Sequence, residues 1–178
     1  EYPRHSPQEQ RWFVMRVTPL SAEEGGAVIA HADTTHRKQV ETTLERERVF
    51  LKTLVQTIPD LIWLKDPEGV YLACNPRFEQ LYGAKEADIL GKTDDDFVDR
   101  ALAEFFRAND RAAIAAGRPR TNEEELTFLE DGHRELVETI KSPMWDAEGR
   151  LIGVLGIARN ITIARQTEAA LRESESRF

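Results

Sequence analysis

The residues best suited to chemistry in this chain are two lysines, Lys65 and Lys141, two acidic runs, Asp94-Asp95-Asp96 and Glu123-Glu124-Glu125, one thiol, Cys74, and four imidazoles, His5, His31, His36 and His133. Three consecutive aspartates hint at a cation site, but neighbouring side chains diverge in direction, and no downstream bidentate Glu or loop Gly follows at calcium-loop spacing. The run reads instead as the acidic start of a helix. The three glutamates alternate across a strand, so at most one face carries two of them, without the partner that glycoside chemistry needs. A lone Cys74 excludes an internal disulfide and a Cys-rich zinc site, and on a strand it reads as a small buried hydrophobe. The histidines form no i, i+4 pair, so no metal site is expected. With no Ser-His or Cys-His pairing and no phosphate loop, this segment has no catalytic constellation and reads as a non-enzyme.

Composition narrows the setting. The 178 residues are 40% hydrophobic and 31% charged, which is material for one ordinary core plus solvated helices. A net charge of −8 argues against nucleic acid and against direct contact with an anionic membrane, both of which reward clustered Lys and Arg. No apolar run approaches the roughly 20 residues that span a bilayer, and no signal-peptide profile opens the chain. The expectation is a cytoplasmic module, with any membrane anchor of a larger parent lying elsewhere.

The elements that must position these residues follow from periodicity. Val40, Leu44, Leu51, Leu54 and Ile58 fall at alternating three-four spacing, interrupted where Glu47 takes the seam, so residues 36–58 form a helix. That helix either lies on its own domain or pairs with a second chain as a coiled coil. Pro59 stops it. Two short strands follow around Asp66-Pro67-Glu68-Gly69 and end at Asn75-Pro76. Short helices come next, divided by Gly83, Gly91 and Gly117, and then three strands near 121–130, 133–143 and 150–162. Two strands, a helical middle and three strands give an α+β fold, an antiparallel sheet with helices on one face.

A pattern also repeats. Residues 11–41 and 135–168 both read strand, Pro, acidic Gly turn, strand, polar helix: Pro19 answers Pro143, Asp33-Thr34-Thr35 answers Asn160-Ile161-Thr162, and Gln39 answers Gln166. The offset is roughly 125 residues, as in an array of similar domains. The division expected is 1–35, the C-terminal hairpin of a preceding copy; 36–58, a linker helix; 59–163, a complete domain; and 164–178, a linker helix toward a further copy. A two-stranded hairpin is marginal alone, so the first piece is expected to pack onto another chain or to lack order.

At this resolution the residues resemble a known family. Asp60-x-Ile62-Trp63-x-Lys65-Asp66-x-x-Gly69, then Asn75-Pro76-x-Phe78, then Leu81-Tyr82-Gly83 leading to Asp88-Ile89-Leu90-Gly91-Lys92-Thr93-Asp94, and finally Ser142-Pro143 through Asp146, Gly149, Gly153-Val154-x-Gly156 to Asn160-Ile161-Thr162 are together similar to a PAS domain with its C-terminal PAC motif. The resemblance implies a five-stranded antiparallel sheet in order 2-1-5-4-3, long flanking helices, and a pocket or a filled core between sheet and helices. It also implies a place in bacterial sensor histidine kinases, diguanylate cyclases or phosphodiesterases.

By the same resemblance, the pocket would be walled by Trp63, Phe78, Tyr82 and Phe97, with Lys65, Asp94, Glu125, Thr127, Val137, Thr139, Lys141 and Ala158 facing it. Asp94 stands where a flavin photoreceptor has its reactive Cys, and Ala158 where it has a Gln. The helix before the third strand carries no His for haem. Flavin-thiol photochemistry and His-ligated haem are therefore not expected, and the cofactor is left unassigned. Buried charges are paired or neutralised, so Lys65 is expected to meet Asp94 or Asp96, and Lys141 to meet Glu125, unless the lysine heads reach solvent along their stems. A small anionic metabolite could join the lysines.

Signal transmission would run through Asp33 and Thr35 in the first copy and Asn160 and Thr162 in the second, where the family's Asp-Ile-Thr motif commonly anchors the strand end. Asn160 carries no charge, which removes an ionic latch there. The implied function is a sensory and dimerisation module, a homodimer through its linker helices with neighbouring PAS and output domains. The alternative is a structural spacer with a filled core and no small-molecule ligand.

Overall fold

The structure is a computed structural model that describes residues 1–6, 9–20 and 25–175. They form two compact units, Glu1–Leu54 and Val55–Phe178. Residues 21–24 of the first acidic turn and 176–178 of the expected last linker lie outside the described residues.

The first unit holds β1 (Tyr2–Ser6), β2 (Glu9–Pro19) and β3 (Ala27–Asp33), an antiparallel sheet in chain order, followed by most of α1 (Thr35–Thr57). The expected hairpin thus has a third strand. Tyr-Pro-Arg-His-Ser gives no apolar alternation, and Pro3 withholds a ladder donor, which an edge strand tolerates. That is why periodicity misses it. α1 buries no residue, and Val40, Leu44, Leu51 and Leu54 are 44–61% exposed along it.

The second unit contains β4 (Leu61–Lys65), β5 (Tyr71–Cys74), α2 (Pro76–Tyr82), α3 (Glu86–Ile89), a 3-10 turn at Asp94–Asp96, α4 (Arg100–Ala116), β6 (Arg120–Thr127), β7 (Arg134–Trp145), β8 (Leu151–Asn160) and α5 (Thr162–Glu175). Its sheet order is β5-β4-β8-β7-β6, antiparallel throughout, the order the resemblance implied.

Local chemistry explains the boundaries. Asp66 accepts from the backbone N–H of Val70 at 2.9 Å, and Gly69 supplies the positive φ that closes the β4–β5 turn. Asn75, 1% exposed, caps α2 by accepting from Phe78 N, and Pro76 takes the first helical position, where no N–H is needed. The same carboxamide accepts from Ile62 N at 3.1 Å. Its Nδ2 donates to the carbonyls of Val55, Ile58 and Asp60 at 3.4, 3.3 and 2.9 Å. α4 begins at Asp99, which accepts from Leu102 N, and ends at the left-handed Gly117.

The central strands approach so closely that two glycines of β8 are obligatory. A Cβ at Gly156 would stand 2.1 Å from the Trp63 ring, and one at Gly153 would stand 1.8 Å from the Lys65 carbonyl oxygen. Trp63 faces Gly156 across the β4–β8 ladder, so its indole occupies the space a side chain would need. Gly156→Ala is therefore expected to destabilise the second unit by about 1–3 kcal/mol through overpacking. In urea titrations its midpoint should fall while the slope stays that of the wild type; an unchanged midpoint would contradict this packing.

Candidate functional site

Four charged side chains converge in the second unit. Lys65 ends β4, and Lys141 projects from β7 on the same face of the sheet. Asp110 lies on the inner stripe of α4 with Ala103, Phe106 and Ala113, and Asp94 opens the 3-10 turn. Lys65, Asp94, Asp110 and Lys141 are 2, 1, 6 and 2% exposed, so none of them reaches solvent. Lys65 Nζ donates to Asp94 at 2.5 Å and to Asp110 at 3.1 Å. Lys141 Nζ stands 2.6 Å from the other oxygen of Asp110 and donates to the Phe106 carbonyl at 2.9 Å. Asp94 also accepts from the hydroxyls of Tyr71 at 2.6 Å and Tyr82 at 3.1 Å. Two cations thus balance two anions; Asp110 Oδ1 is met by the charge of Lys141 but by no hydrogen bond, while the other carboxylate oxygens of the cluster each accept at least one.

Burial sets the ionisation directions. It pulls the Lys141 ammonium below the usual lysine range, an effect partly offset by Asp110. Loss of solvation raises the Tyr71 and Tyr82 phenols well above their usual value; the charge of Asp94 adds to both, and so does that of the Tyr82 phenol for Tyr71. Both tyrosines are therefore neutral hydrogen-bond donors at neutral pH.

Beside the cluster lies a cavity of about 20 Å³, room for one water-sized group, bounded by Trp63, Tyr71, Phe78, Phe106, Glu124 and Lys141 among others. Val137, Thr139 and Ala158 are buried in the surrounding sheet, and Phe97 stacks on Tyr82 with ring centroids 4.4 Å apart.

Two expectations need correction. Lys141 pairs with Asp110 rather than Glu125. Glu125 and Thr127 are exposed, while Glu124 and Leu126 turn inward, so the assigned faces of β6 were one residue out of register. Glu125 is held outside by Arg134 at 3.1 Å, and the Thr139 hydroxyl donates to Glu124 Oε1 at 2.7 Å. Of the two partners expected for Lys65 it meets Asp94, while Asp96 accepts from Thr93 N at 2.8 Å and closes a capping box. With both lysines engaged by aspartates, the ground for an anion between them is gone. Sequence reasoning also passed over Asp110, Tyr71, Phe106 and Glu124. Asp110 had a legible signal, an acid on the otherwise apolar stripe of an amphipathic helix.

A profile of the family described as PAS fold matches residues 55–166. The chain belongs to the PAS fold family. The methanogenesis regulatory histidine kinase FilI of Methanothrix harundinacea is 27% identical over 150 residues, 84% of this chain and 16% of FilI. The virulence sensor protein BvgS of Bordetella pertussis is 30% identical over 128 residues, 67% of this chain and 10% of BvgS. The chain therefore spans about a sixth or less of these two relatives' length. The solved PAS domain of BvgS is 26% identical and superimposes with a TM-score of 0.55, covering 75% of this chain and 99% of that domain.

The exit of the PAS sheet into α5 repeats the exit of the first unit into α1, bond for bond. Thr162 Oγ1 accepts from Leu136 N and Asn160 Oδ1 accepts from Thr162 N, both at 2.9 Å. In the first unit Thr35 Oγ1 accepts from Trp12 N at 2.9 Å and Asp33 Oδ1 from Thr35 N at 2.8 Å. The Thr35 hydrogen bonds draw the Asp33 carboxyl below its usual range. Both junctions rest on hydrogen bonds to the threonine, so Asn160 fills the place of Asp33 without a charge.

Two outcomes follow for the PAS core. Asp94→Asn should cost about 3–5 kcal/mol, because it leaves two buried ammonium groups to share the single carboxylate of Asp110. Lys65→Met combined with Asp94→Leu should recover much of that loss, a strong non-additivity that a double-mutant denaturation cycle reads directly. The Cys74 thiol, 8% exposed, is pushed up to about 12 by burial and then by Glu86 and Glu79. At pH 8 only about one molecule in ten thousand would carry the thiolate, so iodoacetamide should label the native protein far more slowly than the urea-unfolded chain; equal rates would refute this burial.

Proposed function

We propose that this chain is a sensory and dimerisation segment of a multidomain signalling protein, in which the PAS cavity senses a small ligand and the flanking helices pass the change to an output domain. The observation that carries this reading is the placement of β7. On its inner face β7 presents Thr139 and Lys141 to the charged cluster and cavity, and at Leu136 the same strand receives Thr162 at the start of α5. A shift of β7 caused by an occupant therefore acts on the exit helix directly. Similarity to FilI and BvgS supports a sensor histidine kinase as the parent; a diguanylate cyclase or phosphodiesterase parent has no such support here.

Dimerisation rests on α1, whose Val40, Leu44, Leu51 and Leu54 follow a three-four seam and are exposed in a single chain. The second reading, a spacer that only sets dimer geometry, is favoured by the small cavity and by a cluster neutral within itself. Native mass spectrometry of residues 1–178 should show a dimer that Leu44→Asp with Leu51→Asp converts to monomer. A wild-type chain that stays monomeric at tens of micromolar would sink the helix-mediated dimer.

A further inference from the structure

Among the described residues that line the cavity, Glu124 alone has a buried acceptor left over; the other unbonded acceptor, Asp110 Oδ1, faces Lys141 outside the lining. Glu124 Oε1 is engaged by Thr139, but its Oε2 is buried and has no hydrogen-bond partner. A buried carboxylate oxygen without a donor costs more than an ordinary hydrogen bond returns, so an occupant that offers a donor is favoured there. The charge count agrees. Lys65 and Lys141 face Asp94, Asp110 and Glu124, two positive groups against three negative.

The approach to the cavity has the same sign. A surface groove of about 330 Å³ shares Leu81, Tyr82, Phe106 and Leu126 with the inner cavity, so these four side chains are the partition between them. Among the described residues, the charged ones lining the groove are Asp99 and Glu125, and its remaining walls are mostly apolar or aromatic. Low-dielectric walls carrying one sign of charge concentrate ions of the other. Aromatic rings at the partition supply further attraction for a cation. The buried donor without a partner on the same strand, Asn122 Nδ2, does not line the cavity.

We propose that the PAS cavity takes a small organic cation, its primary ammonium head beside Glu124 and its apolar body passing between the partition side chains Tyr82 and Phe106 into the groove. The proposal rests on the ligand-sensing reading of this site and names its ligand class. It also reverses the expectation of an anion, because both lysines are engaged by aspartates and the remaining acceptor belongs to Glu124.

The test uses residues 1–178 labelled with ¹⁵N and titrated with n-butylammonium chloride, with sodium butyrate at matched ionic strength as the size-matched anion. The expected result is saturable shifts at Glu124, Leu126 and Thr139 with the ammonium, at least tenfold weaker binding in Glu124→Gln, and no saturation with butyrate. The wild-type choice between the two probes stands even if the variant fails to fold. Saturation by butyrate at these residues would overturn the cationic class while leaving ligand sensing intact. Saturation by neither probe would remove both and leave the spacer.

Discussion

Asp110 is the pivot of the PAS core. One carboxylate, carried by α4, holds Lys65 from β4 and Lys141 from β7, two strands separated by β8. The helical layer is thereby fixed to the sheet at two points by charges that water cannot reach. A buried ion pair contributes little net stability compared with an apolar replacement, but a broken one is severely destabilising, so the cluster penalises misplacement more than it rewards formation. α4 cannot slide by a turn without leaving Lys141 unpaired, nor can the Asp94 turn swing away without leaving two ammonium groups to Asp110 alone.

Much of this architecture could be read from the sequence. Pro59, Gly69, Asn75-Pro76, Gly117 and the β8 glycines each do one local job that their side chains, or lack of them, dictate, and the sheet order came with the resemblance. What could not be read depended on side-chain direction across distant elements. Glu123-Glu124-Glu125 offers three equivalent residues, and only the pairing of β6 with β7 decides which of them turns inward. Asp110 lies 31 residues before Lys141, an interval across which no periodicity can argue; its position amid Ala103, Phe106 and Ala113 was the one available clue. The strand Tyr2–Ser6 was hidden for a different reason: an edge strand with a proline and charged residues lacks the alternation that betrays strands in a core.

The two sheet-to-helix junctions show what has been kept constant along the chain and what has been allowed to vary. Threonine appears at the start of both helices and bonds the same neighbouring strand, while the preceding residue changes from Asp33 to Asn160 with its acceptor oxygen retained. The geometry of the exit is thus specified by hydrogen bonds of short reach, which salt screens far less than a surface ion pair.

Asn75 gives the PAS domain an entrance to match this exit. Its carboxamide binds the carbonyls of Val55 and Ile58, at and just past the end of α1, while capping α2, the helix that carries Phe78 and Tyr82 to the core. Side chains that line the cavity are therefore tied to the chain on both sides, and under the ligand-sensing proposal thermodynamic reciprocity would apply: whatever twists the incoming or outgoing helix would alter affinity inside by as much as an occupant alters the helices. On that proposal, binding strength would depend on the state of both helices, and the domain with its helices relaxed would report a different dissociation constant from the same domain under torsion.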